Sequence, residues 1–114
     1  MPTVFIPQQP ARFDRATELW MPTVDVQPAA KFGELKVMFD MHTSRVPLDK
    51  LRVPLTRMLD EFKRDDYLVA IGDPSIIAMC SAYIGLKHNG FLQLLTWDRF
   101  THNYISREIN LGNT

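Results

Sequence analysis

The sequence has little of what identifies a function at sight. It holds one cysteine, Cys80, so no internal disulfide can form and the chain suits a reducing compartment. Basic and acidic residues number thirteen each, so no overall field draws the chain to nucleic acid or an anionic membrane, and either would need a local patch. No apolar run approaches the roughly 18 residues of a membrane span. The stretch from Met1 to Pro10 has neither the basic n-region nor the apolar h-region of a secretory signal. Both the three-glycine dinucleotide pattern and the phosphate-loop pattern ending in Gly-Lys-Ser/Thr are missing. His42, His88 and His102 stand far apart, and Cys80 lacks a partner at zinc-ligand spacing, so no metal and no cofactor is expected. An intracellular soluble protein is the expectation.

What is present fits one domain over residues 1–114, since this length leaves no room for a second core. Such a chain should bury roughly 65% of its unfolded surface, enough for stability without staples. Seven of the eight prolines fall in the first 54 residues, which divides the chain into a proline-rich strap over 1–34 and a regular core over 35–114. Val4 to Ile6 form a short strand candidate stopped by Pro7 and suited to a sheet edge. From Pro7 to Glu34 neither helical period nor alternation is sustained. A connection of that length inside a compact domain is usually functional or packed down, and Phe13, Trp20 and Phe32 argue for packing.

Leu35 to Met41 predicts a strand ending near Asp40. Leu48 to Arg64 has helical spacing at Leu48, Leu51, Leu55, Met58, Leu59 and Phe62, although Pro54 requires a kink or a restart. Arg57 with Glu61 and Asp60 with Arg64 stand at i+4 on its exposed face. Tyr67 to Ile71 is a continuous apolar run, the pattern of a central strand buried on both faces. Asp73-Pro74-Ser75 signals a capped helix start and Asn89-Gly90 its end. The helix between carries apolar residues around most of its circumference and should be largely buried. Phe91 to Trp97 and Tyr104 to Leu111 then form a hairpin. The fold class is α/β: a small mixed sheet with two βαβ-type crossovers, a C-terminal antiparallel hairpin and the strap.

Four groups of residues are candidates for function. The turn at Gly72, Asp73 and Ser75 presents free amides at a helix start, where α/β folds bind phosphates; a small molecule or nucleotide could lie there, but Asp73 would fill the anion site itself. A parallel sheet would also bring Asp40, His42, Asp73, Trp97 and Asp98 to one edge, without spacing that demands chemistry. Lys50, Arg57 and Arg64 recur every seven residues as a nucleic-acid footprint, diluted by Asp49, Asp60, Glu61 and Asp65. Trp97, Arg99, Phe100 and Tyr104 place aromatics beside cations, the composition of interface hot spots and base-stacking platforms, and Trp20 adds an aromatic on the strap. Cys80, among small apolar residues, reads as core filler.

Val4-Phe5-Ile6-Pro7-Gln8, Phe32-Gly33-Glu34-Leu35, Asp66 to Pro74, and Trp97-Asp98-Arg99 followed by Tyr104-Ile105 span most of the chain. In these stretches it resembles a family of short proteins of tailed bacteriophages, marine podovirus-like ones in particular. The resemblance implies no activity and no catalytic residues, only a setting: a small viral protein in the cytoplasm of a bacterial host. That setting favours a non-enzymatic protein that binds and redirects a host or phage complex through Trp20, Trp97, Arg99, Phe100 and Tyr104. A nucleic-acid accessory protein is the alternative. No membrane is expected as a partner, and exposed strand edges leave a homodimer open.

Overall fold

A computed structural model describes residues 1–112; the last two residues of the expected domain lie outside it. A five-stranded sheet runs in the order β4-β1-β5-β6-β7, built from β1 (Thr3–Gln8), β4 (Glu34–Phe39), β5 (Tyr67–Val69), β6 (Phe91–Asp98) and β7 (Asn103–Asn110). The first four are parallel and β7 returns antiparallel to β6. Two helices, α1 (Leu48–Leu59) and α2 (Pro74–Lys87), make the crossovers, and a separate hairpin pairs β2 (Ala11–Asp14) with β3 (Leu19–Pro22). This is the α/β architecture expected from the sequence.

The layers follow from the handedness of parallel connections. From β1 the chain moves one way to β4, then back over β1 to β5 and onward to β6. Right-handed connections running in opposite directions must lie on opposite faces. Accordingly α1 and α2 cover the face of Phe5, Leu68 and Leu92, with Leu51, Leu55, Ile76, Cys80 and Ile84 buried beneath them. The strap, carrying a 3-10 turn over Gln27–Phe32, covers the opposite face, where Val4, Ile6, Val69 and Leu95 meet Val26, Ala29 and Tyr104.

Three features differ from the sequence expectation. The first strand is interior, not an edge: β1 lies between β4 and β5. Pro7 is tolerated because pairing with β5 stops at Phe5 opposite Leu68, so the missing N–H falls past the last rung of that ladder. Helix α1 runs through Pro54 but ends at Leu59, before the i+4 geometry reaches Arg64. Glu61 pairs instead with Lys36 at 2.8 Å and Asp60 with Lys87 at 3.5 Å. Finally, α2 buries only the stripe Ile76, Cys80 and Ile84, and leaves Ala78, Ala82 and Leu86 exposed.

Candidate functional site

In a doubly wound sheet, ligands bind past the C-terminal ends of the strands where the connections diverge. Here that point lies between β1 and β5, and the chain has closed it. Buried Gln8, at the end of β1, accepts a hydrogen bond at Oε1 from the Asp73 amide at 2.7 Å. Its Nε2 faces the carbonyls of Asp40 and Met41 and the Ser44 hydroxyl within 3.2 Å. Gly72 is needed beside it: φ is +118°, and a Cβ there would meet the Cβ of Gln8 at 2.6 Å. Asp73 caps its own helix, accepting from the Ser75 amide at 2.9 Å and hydroxyl at 2.6 Å. The amides that would hold a phosphate are therefore engaged by Gln8 and Asp73.

The other polar residues at this edge are also committed to turns. Asp40 accepts from the His42 amide at 2.9 Å, and Asp98 from the Thr101 hydroxyl at 2.7 Å and the Phe100 amide at 3.3 Å. The Ser75 hydroxyl and amide hold Asp73 below the usual carboxylate range, and Thr101 does the same for Asp98. Both are thereby weakened as general bases. Among the described residues no three His, Cys, Asp or Glu side chains gather as a metal site. Cys80 is fully buried, and desolvation pushes its thiol up to about 12, which leaves it without nucleophilic thiolate at neutral pH.

Around this closed edge lies an apolar surface. Trp20 on β3 is half exposed, tilted at 55° against Phe13 with 5.4 Å between ring centroids and edge-on to His42 at 4.9 Å. A cleft of about 440 Å3 separates this hairpin from the end of β4, with Trp20, Pro22, Val37 and Phe39 among its walls. It shares Gln9 and Pro22 with a second cleft along the strap. The second shares Thr23, Val24 and Asp25 with a third, of about 520 Å3, walled by Pro28, Ile71, Trp97 and Tyr104. The three form a track from Trp20 to Trp97. Its walls contain Asp25 and Asp40 but no lysine or arginine. The cleft at the opposite end of the sheet is lined by Lys36, Glu61, Lys63, Asp65 and other residues, of which Lys36 and Glu61 pair at 2.8 Å.

The candidate residues thus separate. Trp97 sits on the track, Trp20 at its far end, and Arg99 and the 95% exposed Phe100 in the turn beyond β6. Tyr104 differs: its ring is buried beneath the strap and only lines the cleft wall, edge-on to Trp97 at 5.1 Å. Lys50 and Arg57 are exposed on α1, but Arg64 lies past the helix end with its guanidinium 3.8 Å from the Phe91 ring centroid, so the three do not form one stripe. No local pattern assigns Gln8, Val24, Asp25 or Ile71 to a site, because their roles depend on long-range packing.

No curated protein and no solved structure matches this chain. A family model does, over residues 2–111 and thus over every strand and helix just described. The chain belongs to the Phage Pam3 gp32-like protein family.

Proposed function

We propose that this phage protein is a non-enzymatic binding protein that engages a protein of a host or phage complex in the bacterial cytoplasm. The observation that carries this is the apolar track from Trp20 to Trp97 at the sheet edge where the fold's usual ligand crevice is plugged by Gln8. Half-exposed tryptophans in shallow apolar clefts are the anchors on which protein interfaces concentrate their energy. The acidic walls of the track favour a protein over a polyanion, because phosphate contact needs unopposed cations.

The test is affinity capture from infected bacterial lysate with tagged wild-type protein and a Trp20→Ala/Trp97→Ala variant, each with and without nuclease. A stoichiometric protein that survives nuclease and is lost with the variant, at an unchanged melting temperature, is the expected result. Recovery of nuclease-sensitive material alone would instead support nucleic-acid binding through Lys50 and Arg57.

A further inference from the structure

Very little joins the β2–β3 hairpin to the body of the fold. None of residues 11–22 is buried. Among the described residues no hydrogen bond or ion pair links them to the rest of the chain; their bonds run across the hairpin or within its turn. The cleft of about 440 Å3 lies between the hairpin and β4, where packed side chains would otherwise stand. Across it, Trp20 meets the body edge-on at His42, 4.9 Å away. The neck is narrow too. The Thr23 amide donates to the Pro10 carbonyl at 3.0 Å and Gln9 Nε2 to the Val24 carbonyl at 3.0 Å, and Pro10 and Pro22 fix φ on the two sides. A segment with few buried contacts on a short neck is one that opens at low cost while the core stays folded.

From this attachment we infer that the hairpin is a hinged arm, latched to the body by Trp20 against His42, and that a protein partner takes up Trp20 only when the latch opens. This rests on the binding function proposed above. Interface hot spots sit in fully desolvated pockets, whereas Trp20 on the closed arm is 49% exposed and the rest of its surface is withheld. Phe13 faces Trp20 from the neighbouring strand of the arm and moves with it; His42 belongs to the 3-10 turn after β4 and stays behind. A ring pair of this kind shifts an equilibrium by roughly two- to tenfold. A partner that binds only the open arm has its apparent affinity reduced by the fraction open. The latch is therefore an autoinhibitory contact of modest strength.

Trp97→Phe leaves Trp20 as the sole tryptophan, and acrylamide quenching of its fluorescence reads the latch with no partner present. Adding His42→Ala should roughly double the quenching constant, since about half of Trp20 is covered when the arm is closed, and should leave the melting temperature of the parent unchanged. His42→Phe keeps a ring at the latch and should quench like the parent. With both tryptophans in place, the protein captured by wild type from infected lysate should bind His42→Ala about two- to tenfold more tightly, and His42→Phe as it binds wild type. Unchanged quenching in His42→Ala, or a lowered melting temperature, would overturn the hinge. Equal or weaker binding of the captured protein by His42→Ala would overturn the autoinhibition. Increased quenching with no protein captured by any form would leave the arm hinged and refute both its gating role and the function proposed above.

Discussion

A single amide side chain decides what this fold can do at its usual binding edge. Gln8 joins the end of β1 to the segment after β4 and to the start of α2, so the crevice is spanned by protein hydrogen bonds. Replacing it with leucine, close in volume, strands the Asp73 amide and the facing carbonyls in a part-buried place. Gln8→Leu should lose about 2–4 kcal/mol of stability in urea denaturation. A loss within error would mean the crevice is open to water and available to a ligand. The turn carboxylates give a pH signature at the same scale. Asp98 is held low by Thr101, then by the Phe100 amide. A group whose folded pKa lies below its unfolded value contributes stability that is fully present above the unfolded value, and that contribution is lost as pH falls through the folded one. Melting temperature should therefore drop less between pH 6 and pH 3 in Asp98→Asn, which keeps an acceptor but does not titrate, than in wild type. Parallel curves would show that this turn contributes nothing on acidification.

Among the elements, those with strong local signals were legible. Asp73-Pro74 and Asn89-Gly90 bracket α2 as expected, and the apolar run from Tyr67 contains the middle strand of the sheet. The β2–β3 hairpin was not legible, because its turn carries no glycine. Glu18 takes the left-handed conformation at φ 57°, and Asp14 stabilises the turn through the Ala16 amide and the Thr17 hydroxyl, which local composition does not advertise. The interior place of β1 was hidden for a different reason: with Pro7 it looks like an edge, and only the shortness of β5 makes the proline harmless. The sequence overstates the burial of α2 because its outward residues Ala78, Ala82 and Leu86 are apolar, although they meet water. Ala82→Glu, on that outward face, should change stability by no more than about 0.5 kcal/mol. A loss of several kcal/mol in a thermal or urea melt would mean that α2 is covered in solution.

Over the whole molecule, the two ends of the sheet differ in character. The end where the parallel strands begin is polar and tied down by Asp66, whose carboxylate accepts from the Thr3 and Lys63 amides at 2.8 Å each. The other end collects Trp20, Val24, Trp97 and Phe100 on short, exposed segments. Nothing local could show that two tryptophans 77 positions apart lie along one track, because sheet order decides it. No helix among the described residues is long and apolar enough to cross a membrane, and a two-stranded hairpin such as β2–β3 is marginal alone in water. Exposed Leu19, Trp20 and Met21 on it are consistent with a segment that gains order on association. Hydrogen–deuterium exchange of the free protein against its complex with the captured partner tests this most directly. The account predicts slowed exchange in residues 19–28 and 96–104, with α1 around Lys50 and Arg57 unchanged. Protection confined to α1, or to the outward face of α2, would contradict it.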